Sequence, residues 1–152
     1  MSADAGAPVP DLQAICDGSQ LHRALRVRVA RAPAGVSVRA ELDARWANDD
    51  RGTTVHGGAV ATLLDTTLTF ALLAATGDDW ATADLRVDYL RPVPVGPVEL
   101  SGEVLRAGRM LGRARATLVG ADGRPHAIAI GSCARLGPLA VDPPTPDAEE
   151  PA

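Results

Sequence analysis

The stretch NDDRGTTVHGGAVATLLDTTLTFALLAATG, residues 48–77, decides how this chain is built. Its first eight residues, Asn48 to Val55, are polar and include a glycine, which marks a loop. From Gly58 to Ala75 nearly every position is apolar, and Gly77 follows as a C-cap, so a long helix is predicted there. The uninterrupted apolar run is too short for a membrane span. It also carries Asp65 and the threonines Thr62, Thr66, Thr67 and Thr69, so the helix reads as the buried centre of a soluble fold.

Working outward, residues 24–32 (ALRVRVARA) and 36–46 (VSVRAELDARW) alternate apolar with polar at period two around a Pro33-Ala34-Gly35 turn. That pattern predicts a hairpin. Four more strands are predicted after the helix, at 81–91, 97–107, 110–120 and 124–136, with Asp122-Gly123 as a tight turn. Two strands, a helix, then four strands give no βαβ alternation. The expected fold class is α+β, a curved antiparallel sheet of about six strands around one long central helix. One sheet covers one side of an all-round apolar helix, so the other side and a sheet edge are expected to meet a second subunit. Residues 1–18 and the Pro- and acid-rich 137–152 read as flexible tails, leaving one domain over 19–136.

Composition narrows the function. The chain has 152 residues, of which 46% are apolar and 22% charged, and its 15 basic residues are all arginine. Without lysine, a Lys-dependent phosphate loop or Schiff base is excluded. Four of the 19 acids (Asp142, Asp147, Glu149, Glu150) lie in the last sixteen residues, so the body balances 15 acids against 15 arginines. A neutral body does not attract nucleic acid or an anionic membrane. Cys16 and Cys133 form neither a disulfide framework nor a metal-ligand spacing, and no metal site is expected. The N-terminus has no basic start and no apolar run, which points to a cytoplasmic protein.

Two features carry chemistry. Asp65 is a carboxylate in mid-helix among Leu63, Leu64, Leu68 and Phe70, and no basic residue lies between Arg51 and Arg86 to pair with it locally. His56-Gly57-Gly58 stands where the loop becomes the helix. The free amides of a first helical turn carry partial positive charge, and glycine lets a carbonyl approach them.

The run Asn48 to Thr67 resembles the loop-helix signature of the hotdog-fold acyl-CoA thioesterases of the phenylacetate-pathway (PaaI) type: an Asn/Gly loop, H-G-G, and an acid nine residues after the His. LRVDYLRP (85–92), ending in an aromatic-x-x-Pro step, Gly108-Arg109 and DGRPHAIAIGSCARL are similar to the family's later strands and turns. The resemblance spans residues 24–136 and implies the same sheet around a central helix. It implies Asp65 as general base or nucleophile, the Gly57 amide as oxyanion donor, His56 as the residue orienting the loop, and Asn48 and Thr82 as assistants. Family members carry the Asn six residues before the His and a Gly three before it. Here Asp50 holds the first position and Gly52 lies four before, so either Asn48 reaches the site through a longer loop or Asp50 replaces it.

Helix geometry adds a constraint. Eight residues separate Gly57 from Asp65, roughly 12 Å along one axis at about 1.5 Å per residue. If both act on one carbonyl, they come from different subunits. The expected reaction is hydrolysis of an acyl- or aryl-acyl-CoA thioester by a homodimer or a dimer of dimers, with no cofactor beyond the coenzyme A of the substrate. The alternative is a non-catalytic module that binds acyl-CoA or another apolar ligand. Gly58 belongs to the expected binding residues, and the phosphates are assigned to Arg91 and Arg109, at turns, and to Arg113. His22 and His126 are expected at the surface, and Trp46 and Trp80 as packing residues.

Overall fold

The computed structural model describes residues 10–140. Its central element is α3, Gly57–Thr76, one residue longer at each end than the periodicity indicates. Local chemistry sets both ends. The His56 side chain caps the start, and Gly77 closes the helix in the left-handed region at φ 74°, its amide bonded to the Leu73 carbonyl. The helix tolerates its threonines because their hydroxyls bond back to its own carbonyls: Thr62 to Gly58, Thr67 to Leu63, Thr69 to Asp65 and Thr66.

Six strands surround it: β1 Arg28–Ala32, β2 Gly35–Leu42, β3 Asp78–Tyr89, β4 Gly96–Ala107, β5 Leu111–Val119 and β6 Pro125–Pro138. They form one antiparallel sheet in the order β1-β2-β4-β5-β6-β3. Alternate residues such as Val36, Val38, Ala40 and Leu42 of β2, or Gly112, Ala114, Ala116 and Leu118 of β5, are buried toward α3. They meet Val60, Leu63, Leu64, Leu68 and Leu72 of the helix. With so few aromatics, this Ala/Val/Leu packing is the core. Over its full 20 residues, Asp65 and the threonines included, α3 is long and apolar enough to cross a bilayer, which the uninterrupted apolar run alone is not. Here the sheet supplies its apolar surroundings instead.

The N-terminal segment departs from the expected tail. Residues 12–17 form a helix, α1 (Leu12–Asp17), and α2 (Gln20–Ala24) follows. Asp11 caps α1 by accepting from the Gln13 and Ala14 amides, and Leu12 and Cys16 are buried by its one apolar face. The first predicted strand therefore begins late, at Arg28, after Arg26 turns the chain with φ 53°. The second ends early, at Leu42, before a 3₁₀ turn over Ala44–Trp46. Of the two, α2 also covers part of the helix back that is expected to meet a second subunit. His22 of α2 lies edge-on to Phe70, with ring centroids 6.0 Å apart, and its Nε2 is 3.1 Å from the Thr66 hydroxyl. A narrower strip of α3 stays open, marked by Gly58, Thr62, Asp65 and Thr69. The acids at Asp142, Asp147, Glu149 and Glu150 lie outside the described residues.

Candidate active site

The start of α3 leaves one amide free. His56 Nδ1 accepts from the Gly58 N–H at 2.9 Å, and the His56 carbonyl accepts from Ala59 and Val60. A Cβ on Gly58 would stand 3.0 Å from that Nδ1, so a side chain there would crowd the cap. The Gly57 N–H has no acceptor among the described residues. It is the one donor of the first turn open to a ligand oxygen.

The loop before it closes as a short ladder. His56 N–H bonds the Trp46 carbonyl, Ala47 pairs with Val55, and Asn48 N–H bonds the Thr54 carbonyl at 2.7 Å. Asn48 thus sits two steps from His56, and Asp50 stands farther out at the loop tip. Both are exposed. Asp49 builds the tip by accepting from the Thr53 amide and hydroxyl and the Thr54 amide, and the Thr53 amide holds its carboxyl below the usual range.

Asp65 is half-buried on the open strip of α3. Its Oδ1 accepts from the Thr82 hydroxyl at 2.6 Å, and no cationic side chain pairs with it among the described residues. Thr82 stands on the exposed edge strand β3, opposite Cys133 of β6. Burial pushes the Cys133 thiol up and the Cys16 thiol up to about 11, so neither is a nucleophile at neutral pH. Asp65 and Thr82 are brought together from seventeen residues apart, whereas Gly57 stays a helical distance away within the same chain.

The arginines divide between two places. Arg91 lines a cavity of about 320 Å³ beside Gly57 and Tyr89, and its guanidinium donates to the Pro125 carbonyl at 2.6 Å. Arg109 and Arg113 line another, of about 370 Å³, with Arg106 and Met110. Arg113 alternates with the inward Gly112 and Ala114, so it stands on the outer face, opposite the face that carries Thr82. A third cavity, of about 500 Å³, opens along the start of α3 between Leu21, Leu25, Trp46, His56, Gly58 and Thr62. Trp46 is therefore part of a cavity wall, while Trp80 is buried packing as expected.

His126 is not a surface residue. It is 5% exposed, with Nδ1 2.6 Å from the Pro92 carbonyl and Nε2 3.0 Å from Asp122. Its own carbonyl accepts from Leu90 and Arg91, so it ties the last hairpin to the chain leaving β3. Tyr89, read from sequence only as the aromatic of an aromatic-x-x-Pro step, donates its hydroxyl to the Gly57 carbonyl at 2.8 Å.

A family model described as the thioesterase superfamily matches residues 52–126. A protein of Saccharolobus solfataricus, named as an esterase by inference, is 32% identical over 114 residues, covering 74% of this chain and 81% of that one. The chain belongs to the thioesterase superfamily. Its fold is shared with the solved PaaI protein of E. coli, from the phenylacetic acid degradation operon, at a TM-score of 0.74 and 21% identity over 82% of this chain and 90% of that one. A hypothetical thioesterase of Streptococcus pneumoniae solved with coenzyme A superposes with a TM-score of 0.67 at 20% identity, over 74% and 87% of the two chains. At these identities the likeness is one of fold. It makes this superfamily chain a hotdog protein, as its signature implied.

Proposed function

We propose that the protein hydrolyses an acyl- or aryl-acyl-CoA thioester to the free acid and coenzyme A, at sites shared between two copies of the chain. The observation that carries this reading is the pairing of Asp65 with Thr82 on an open helix strip, in a chain whose Gly57 amide is also free. Roughly 12 Å of helix separates the two. One thioester carbonyl receives both when Gly57 comes from one protomer and Asp65 from its partner. The twelve-residue edge strand β3, exposed at Ala81, Thr82, Ala83 and Asp84, is the surface available for the second copy.

In this arrangement the Gly57 amide and the positive end of α3 stabilise the oxygen of the tetrahedral intermediate, and His56 holds the turn that presents them. Asp65 either takes a proton from water, which then attacks the carbonyl carbon, or attacks that carbon itself. The second route expels the thiolate and leaves a mixed anhydride that water cleaves. Thr82 has committed its proton to Asp65, so its oxygen is free to accept from the water. The leaving thiolate is weakly basic and departs without an acid catalyst.

The cavity along Leu21, Leu25 and Trp46, beside Gly58, suits the acyl group. Arg91 is the phosphate partner nearest Gly57, and Arg109 with Arg113 offers a second, outer position for the nucleotide end. Asn48, by its place on the loop ladder, is the assisting amide. The two thiols are buried and unpaired, which supports a reducing, cytoplasmic setting.

The test is thiol release from a panel of acyl- and aryl-CoA thioesters by the wild type and Asp65→Asn. Turnover is expected to fall at least a hundredfold in the variant, with fold and oligomer unchanged. Saturable acyl-CoA binding without turnover by the wild type supports the binding-module reading instead, which the Asp50 and Gly52 departures in the loop favour.

A further inference from the structure

The peptide group joining Gly57 to Gly58 is held at both of its polar ends. Its carbonyl oxygen accepts from the Tyr89 hydroxyl at 2.8 Å, and its N–H donates to His56 Nδ1 at 2.9 Å. The Tyr89 ring also lies against Gly57, where a Cβ would stand 3.4 Å from it. Two successive glycines at a helix start have the widest backbone freedom available to a chain, and an oxyanion donor works only when its direction is fixed before the substrate arrives.

We propose that Tyr89 is a positioning residue for the Gly57 amide, acting with His56 as a clamp across one peptide plane. The tyrosine's polar end has a specific task. Beyond the ring's contact with Gly57, its hydroxyl is spent on a carbonyl 32 residues away in sequence, a bond that ring packing alone does not need. The clamp has a rigid mount. Just past Tyr89, the Leu90 and Arg91 amides both bond the His126 carbonyl, the Pro92 carbonyl meets the buried His126 ring, and the Val93 carbonyl accepts from Val55. The segment 89–93 thus crosses beneath the loop and fixes Val55 and Gly57 from one side, as the His56 cap fixes Gly58 from the other. Bonds at the two ends of one peptide group polarise it in the same sense, and they leave the neighbouring Gly57 N–H unspent.

This inference rests on the thioesterase reading for its catalytic consequence but not for the clamp itself, and two measurements separate them. Tyr89→Phe keeps the ring and removes the bond. In steady-state thiol release it is expected to lower kcat about tenfold with KM changed less than twofold and an unchanged melting temperature. Amide exchange by NMR is expected to speed up at least tenfold at Gly58 in the same variant, whether or not any thioester is turned over. Unchanged Gly58 exchange overturns the clamp. Faster exchange with unchanged kcat in an active enzyme overturns the positioning role. Absence of turnover in the wild type, with Gly58 exchange still responding, overturns the thioesterase reading and leaves the clamp standing.

Discussion

At one edge of the sheet the five-residue β1 runs under α1, and the Gln13 side chain takes part of its backbone: Oε1 accepts from the Val29 amide at 2.8 Å and Nε2 donates to the Val27 carbonyl at 3.4 Å. At the other edge the twelve-residue β3 has β6 on one side and no neighbour on the other among the described residues. Long open edges recruit other strands, so proteins normally shorten or cover them. This chain covers the edge far from Asp65 and leaves open the edge that carries Thr82 and Tyr89. The difference separates a structural boundary from the edge proposed to receive a second copy.

The largest effect that breaks or sharpens this contrast comes from splitting the proposed shared site. Proline is accepted at the first position of a helix, and His56 already has the extended backbone, ψ 134°, that a following proline requires. Gly57→Pro thus deletes one N–H at a backbone position that accepts proline, with its Cβ in ordinary contact with the Tyr89 ring. It is expected to cost at least a hundredfold in turnover, as Asp65→Asn does. Co-refolding equal amounts of the two inactive variants is expected to restore about a quarter of wild-type activity, because half of the dimers are mixed and each regains one of its two sites. No recovery in the mixture means that the site does not cross between copies.

A smaller effect is expected from the open edge itself. Arg86→Asp loses an exposed pair with Asp88 and makes three alternate outward positions acidic in the middle of β3. When two such edges meet, like charges face each other. Light scattering is expected to show that at least tenfold more protein is needed to dimerise, with turnover following the dimer fraction. Ala30→Asp, an equivalent exposed change on β1, is expected to alter neither. The smallest change concerns the covered edge. Leu12→Ala empties a site only 4% exposed and is expected to destabilise by about 2–4 kcal/mol in denaturant melts, while kcat per folded protomer is kept.

What was legible in the sequence follows the range of the interactions involved. The limits of α3 were readable to within a residue because a His cap and a left-handed glycine act over one turn. The hairpin around Pro33–Gly35 was readable for the same reason. α1 was not, because six residues in an Ala/Pro/Gly-rich segment have little helical signal of their own and are held by burial of Leu12 and Cys16 against the sheet. His126 read as a surface residue because its partner Pro92 is 34 residues away, and Tyr89 carried no visible task because its partner Gly57 is 32 away.

The sequence by itself determined the fold class, the central helix and its family signature, and with them the choice of Asp65 and Gly57 as candidates. Their separation by helical rise is also fixed by the sequence, and the proposed two-chain site rests on it. The resemblance also named Thr82, and only the tertiary structure decided what Thr82 and Tyr89 touch. Thr82 reaches Asp65 and Tyr89 reaches Gly57 because the pairing of β3 with β6, including the β-bulge between Thr82 and Asp84, sets where along the helix each side chain stands. Register is set by pairing along the whole sheet, and period-two alternation in one strand cannot specify it.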